Sequence, residues 1–184
     1  KVEGIALTED KLNVYAKGDG FSYTFSKHYG AFTSMVIDGK EQLADKMKLS
    51  AFRAPTDNDR NIINRWANMN IWQGENLDVA FLKVYNCVLV GESIEVEGSL
   101  AGISRIPCFY YTLKVTISEK GVVQMELKAR VRENAVFLPR LGFEFPLVES
   151  SKAFTYYGRG PVENYCDMCH HAKIGKYKST AEKQ

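Results

Sequence analysis

Residues 109–131 constrain the fold more than any other stretch. Phe109, Tyr111, Leu113, Val115 and Ile117 alternate with Tyr110, Thr112, Lys114, Thr116 and Ser118. After Glu119-Lys120-Gly121 the pattern restarts, with Val123, Met125, Leu127, Ala129 and Val131 alternating with Gln124, Glu126, Lys128, Arg130 and Arg132. A period of two sends successive side chains to opposite faces of a strand. Two such runs joined by a short glycine-containing turn predict a β-hairpin with one dry face and one wet face. Phe21, Tyr23 and Phe25 against Ser22, Thr24 and Ser26 make another alternating strand, and Leu141, Phe143, Phe145 and Leu147 a further one, closed by Pro146. Weaker strands are predicted over 11–17, 31–37, 47–53, 79–90 and 93–100, with Asp38-Gly39 as a turn. One segment breaks the period. From Asn61 to Gln73, Ile62, Trp66, Met69 and Gln73 recur at helical spacing, with Asp59 placed to cap the start and Gly74 to end it. The reading is all-β: a large antiparallel β-sandwich with one short helix, forming a single domain over 1–184.

Composition narrows the function classes. Lys and Arg number 24 against 22 Asp and Glu, a formal net charge of +2, whereas nucleic-acid binders carry a strong basic excess. No run approaches the roughly 20 apolar residues of a membrane span. The small excess sits in 151–184, which holds six Lys/Arg and three Asp/Glu and reads as a solvated end. The chain opens on Lys1, as expected of a piece cut from something longer. Cys87 and Cys108 lie in apolar, strand-like surroundings and read as small core hydrophobes. Cys166 and Cys169, followed by His170 and His171, have the residue types of a zinc site or a redox dithiol. A closed zinc site draws its remaining ligands from a second cluster, and His28 is the one other histidine. The preferred reading is therefore a tyrosine-rich loop with two free thiols. Free thiols lean towards a reducing compartment, and cytoplasm and periplasm both stay open.

Three clusters have the residues for chemistry. The first is Phe52-Arg53-Ala54-Pro55-Thr56-Asp57-Asn58-Asp59-Arg60. Pro55 stops a strand, and Asp57, Asn58 and Asp59 are turn and cap formers. The same carboxylates and amide could also face sugar hydroxyls, which need donors and acceptors together. Glycoside hydrolysis needs two carboxyl groups, about 5–5.5 Å apart when retaining and about 6.5–9.5 Å when inverting. Asp57 and Asp59 can reach such a separation, but they lie side by side on one loop and have no apolar neighbour to raise a pKa. The second cluster is Leu138-Pro139-Arg140-Leu141-Gly142, where Arg140 reads as half of an ion pair beside a strand. The third is Tyr156-Tyr157-Gly158-Arg159-Gly160-Pro161-Val162-Glu163-Asn164-Tyr165-Cys166-Asp167. Gly158, Gly160 and Pro161 ask for a tight backbone path, and Glu163, Asn164 and Asp167 are read as polar groups on a loop. No dinucleotide fingerprint, nucleophile elbow or phosphate loop is present in the sequence.

The runs RAPTDNDR at 53–60, LPRLGFEF at 138–145 and YYGRGPVENYCD at 156–167 stand in that order. Together they resemble the C-terminal β-sandwich domain of β-galactosidases of glycoside hydrolase family 2. The resemblance covers nearly the whole chain and implies a β-supersandwich of the galactose-mutarotase-like kind. It further implies a parent that hydrolyses terminal β-D-galactosides with retention, through two Glu on an upstream TIM barrel. Immunoglobulin-like domains and any divalent-metal ligands would also lie upstream, so this chain would hold no catalytic residue, cofactor or metal. By position, Asp57, Asn58 and Asp59 would anchor a loop through Arg60, Asn61 and Ile62 beside the sugar pocket, while Arg53, Pro55, Arg140, Gly158, Gly160, Pro161, Glu163, Asn164 and Tyr165 would be structural. Three positions depart from the family pattern: Arg60-Asn61 replace a glycine hinge, Ala51 precedes Phe52, and Met168 replaces an arginine. The family's sandwich also continues past the point matching Gln184, so the domain is expected to be truncated, with an open sheet edge. The partners implied are the upstream domains and a carbohydrate, with oligomerisation open and neither nucleic acid nor membrane. Two other readings stand beside this one. A free-standing carbohydrate-binding module would use Trp66 and Trp72 as its platform, although both also suit helix packing. A mutarotase-like epimerase would need a groove Glu and His, with His28, His170 and His171 available.

Overall fold

The predicted hairpin is one end of a four-stranded meander. The computed structural model of the chain describes residues 4–67, 74–165 and 168–183. Strands β1 (Thr8–Glu9), β2 (Asn13–Gly18), β3 (Phe21–Ser26), β4 (Ala31–Ile37) and β5 (Lys40–Glu41) form one antiparallel sheet in sequence order. β6 (Lys48–Ser50) follows, then a 3-10 turn at Asp57–Asp59 and helix α1 (Ile63–Trp66). β7 (Ala80–Val90), β8 (Ser93–Gly102), β9 (Phe109–Ile117) and β10 (Val123–Val131) form the second sheet, in the order β10-β9-β8-β7. β11 (Gly142–Glu144) pairs with β6. β12 (Ala153–Gly160) pairs with β13 (Lys173–Thr180). Two compact units succeed one another along the chain, Lys1–Pro146 and Leu147–Gln184.

In the first unit the alternation becomes burial. Phe109, Tyr111, Leu113, Val115 and Ile117 are all buried, whereas Tyr110, Thr112 and Lys114 are exposed. They share one core with Val14, Ala16, Phe21, Tyr23, Phe25 and Phe32 of the first sheet. Each fully buried Val, Leu, Ile or Phe side chain stabilises the fold by about 1.5–3 kcal/mol, so this two-faced packing sets the strand register. The β9–β10 turn pins one sheet to the other. Gly121 sits at φ +73°, its carbonyl accepts the Tyr23 hydroxyl at 3.0 Å, and a Cβ there would come within 2.9 Å of the Phe21 ring. Only glycine meets both demands without strain. Among the described residues no helix is long and apolar enough to cross a membrane.

Some sequence expectations change. The strand expected over 141–147 shrinks to Gly142–Glu144, and Leu141 and Leu147 are exposed. The one over 47–53 shrinks to Lys48–Ser50. The helix expected over 61–73 contains Ile63–Trp66, and Met69, Trp72 and Gln73 lie outside the described residues. Its N-cap is Ile62 rather than Asp59, because the Asp59 carboxylate is bound elsewhere.

The second unit holds the largest difference. Residues 153–160, read partly as a loop, form a strand, and the end read as solvated supplies its partner, with Tyr156 opposite Tyr177. The Tyr156 and Tyr177 ring centroids are 5.4 Å apart, and Phe154 lies 6.2 Å beyond Tyr156. Gly160 is buried, and a Cβ there would fall 2.3 Å from the Tyr156 hydroxyl and 2.9 Å from the Tyr177 ring. Gly160 is therefore glycine for close packing inside a strand rather than for a turn.

Candidate functional site

The first cluster is built around one arginine. Arg53 Nη1 and Nη2 donate to the two Asp59 carboxylate oxygens at 2.5 and 3.2 Å. Its Nε donates to the Pro139 carbonyl at 3.2 Å, and Nη1 also reaches the Ala54 carbonyl at 3.0 Å. The planar guanidinium can serve all these acceptors because its five N–H groups point in a fixed fork. Its carbon lies 5.5 Å from the centroid of the Trp66 ring. Trp66 is wholly buried, packs edge-on against Phe137, and donates Nε1–H to the Phe137 carbonyl at 3.1 Å. The RAPTDND turn and the LPR run are thereby joined through Arg53 and Trp66, a link carried by two backbone carbonyls that no residue pattern advertises. A wholly buried Trp66 packs the helix and offers no surface for a sugar.

Asp59 points inward. Besides Arg53 it accepts the Thr56 backbone N–H at 2.7 Å and the Thr56 hydroxyl at 3.0 Å. The Arg53 hydrogen bonds, helped by those from Thr56, hold its carboxyl down at about 2, so Asp59 is ionised at any working pH and cannot serve as a catalytic acid. Asp57, Asn58, Arg60 and Asn61 are all exposed on the outer side of the same turn, where Arg60 and Asp57 come no closer than 3.9 Å. Arg60 has φ −47° and ψ −40°, an ordinary helical conformation that needs no glycine. Pro55 is exposed at the head of the turn. Arg140 pairs with Glu144 on the surface, which is the ion pair the sequence suggests.

Within the second unit the polar residues of the third cluster mostly bond one another. Tyr165 donates its hydroxyl to the Glu163 carboxylate. Asn164 Nδ2 donates to the Arg159 and Val162 carbonyls at 3.3 and 3.2 Å. His171 Nε2 meets the Glu163 carbonyl at 3.1 Å. Arg159 Nη1 donates to the Cys169 and Ala172 carbonyls, both at 3.3 Å, closing the segment back onto β12. Pro161 is exposed directly after β12, and Gly158 lies within it. The zinc reading of the 166–170 run depends on Cys166, which with Asp167 lies outside the described residues. Among the described residues no three His, Cys, Asp or Glu side chains gather where they could hold a metal ion. Cys108 is buried and Cys87 half-buried, and burial pushes both thiols up to about 11.

The chain is 29% identical over 180 residues to a β-galactosidase of Actinobacillus pleuropneumoniae, covering 96% of the chain and 17% of that relative. A β-galactosidase of Clostridium acetobutylicum is 28% identical over 169 residues, 92% of the chain and 18% of the relative. One of Kluyveromyces lactis is 29% identical over 188 residues, 94% of the chain and 17% of the relative. The chain thus spans less than a fifth of the length of these curated relatives. The family model for the β-galactosidase small chain matches residues 17–184, which include all three clusters. The chain belongs to the β-galactosidase small-chain family.

Proposed function

We propose that the chain forms one wall of the active site of a larger β-galactosidase, an enzyme that hydrolyses terminal β-D-galactosides with retention. The observation that carries this reading is the Arg53–Asp59 clamp. It immobilises a turn at its inner carboxylate and leaves Asp57, Asn58, Arg60 and Asn61 exposed on the outside. The outward set contains acceptors, donors and amides on a fixed base, which suits the hydroxyls of a neutral sugar. It contains no acid–nucleophile pair. Retaining chemistry needs two carboxyl groups about 5–5.5 Å apart across the scissile bond, whereas Asp59 is ion-paired with Arg53 and Asp57 lies 3.9 Å from Arg60 on the exposed side of the same turn. The catalytic glutamates belong to a barrel outside this chain, preceded by immunoglobulin-like domains, and the ligands of any divalent metal of the parent also lie upstream. The work of this chain is to position the substrate.

A chimera tests the reading. The 184 residues replace the matching region of the Actinobacillus relative, and cleavage of a chromogenic β-galactoside is followed. The chimera cleaves, the relative without the region does not, and Asn58→Ala with Asn61→Ala raises KM more than it lowers kcat. Cleavage by the isolated 184-residue chain would refute the positioning role.

A further inference from the structure

The outer face of the β7–β10 sheet carries more than solvation requires. Tyr85, at the bulge where the β7–β8 register shifts, and Tyr110 of β9 are 51% and 43% exposed. Their rings are 25° from parallel, with centroids 6.4 Å apart. Small Ser99 stands next to Tyr110 in the register, and its hydroxyl and that of Tyr85 are 2.8 Å apart. The Lys83 ammonium lies 5.5 Å from the Tyr85 centroid, and the Arg130 guanidinium 5.6 Å from that of Tyr110. Both rings are thus held on rigid strands, with little rotamer freedom left to lose on binding. The neighbouring cross-strand row is Glu97, Thr112 and Lys128. The two rows bound a cleft of about 380 Å³, within the range of small-molecule sites, about 300–1,000 Å³.

We infer that this cleft is a saccharide-binding site. The aromatic wall matches the C–H face of a sugar ring. Glu97 supplies acceptors only, Lys128 and Arg130 donors only, and the Thr112 hydroxyl both. An anion would be opposed by Glu97, and a cation by Lys128 and Arg130. A neutral, hydroxyl-rich ligand is the class that every one of these groups can serve. None of these residues lies in the three sequence motifs, and the inference does not rest on the function proposed above.

The test is a titration of the ¹⁵N-labelled 184-residue chain with galactose and with lactose, and with glycerol at equal molarity as a control polyol. One or both sugars move the amide signals of residues 97–99, 110–112 and 128–130 saturably, with millimolar affinity, and glycerol does not. Tyr110→Ala weakens binding about tenfold or more, and Tyr110→Phe retains it. Lys128→Ala, at a side chain 77% exposed and so harmless to folding, also weakens binding while leaving β-galactoside cleavage by the chimera unchanged. The inference is overturned if neither sugar gives saturable shifts, if glycerol shifts the same signals equally, or if the shifts fall elsewhere and survive Tyr110→Ala and Lys128→Ala.

Discussion

Replacing Trp66 by Phe tests the link between the first two motifs. Phenylalanine cannot donate to the Phe137 carbonyl, now bonded at 3.1 Å, and a typical hydrogen bond contributes about 0.5–1.5 kcal/mol. The phenyl ring also lacks three of the nine indole ring atoms at a site with no exposure. At about 0.8 kcal/mol per buried carbon-sized group, that removes about 2 kcal/mol more. The contact of Arg53 with the ring also weakens, since indole attracts a cation more strongly than phenyl. The total is about 3 kcal/mol. At about 2–4 °C per kcal/mol for a chain of this size, the melting temperature falls by about 6–12 °C. Thermal unfolding followed by far-ultraviolet circular dichroism measures it, with Trp66→Ala as the harsher reference, expected to cost about 3–5 kcal/mol. A fall below about 2 °C for Trp66→Phe would show that Trp66 does not strut the turn.

Two more predictions concern single residues. Asp59 has its carboxyl lowered to about 2 from an ordinary 3.8, so its stabilisation is fully present above the unfolded value and lost as pH falls towards 2. Asp59→Asn should therefore unfold earlier than the parent at pH 5–7, with the two denaturant midpoints converging towards pH 2, and a constant gap down to that pH would contradict the ion pair. Gly121→Ala places a left-handed alanine, costing about 1–2 kcal/mol, against the Phe21 ring 2.9 Å away. Its urea midpoint should drop clearly, and an unchanged midpoint would mean that the β9–β10 turn is not held as described.

The division of labour between sequence and structure follows from range. β9 and β10 were legible because alternation is local and their turn is short, so pattern and pairing agree over 109–131, and burial follows the alternation as far as Leu127, beyond which Ala129 and Val131 are exposed. β12 and β13 were not, because the partner of Tyr156 is Tyr177, beyond a segment with no strand pattern. Two glycines in β12 also lower its apparent strand propensity, although Gly160 is there to make room for the Tyr156 and Tyr177 rings. At the candidate site the motif residues themselves could be found in the sequence, and their order pointed to the family. Their directions could not. Asp57 and Asp59 are the same residue type two positions apart, yet one faces water and the other is fixed by a guanidinium from residue 53. Nor could alternation, which predicts a wet face for β9, tell that Tyr110 on it would lie near-parallel to Tyr85 two strands away. Local period and turn chemistry determined an all-β chain, and three motifs in order pointed to its family. Only tertiary packing decided which carboxylate is buried, which aromatics are paired and which polar groups stand free, because each of those depends on a partner far away in the chain.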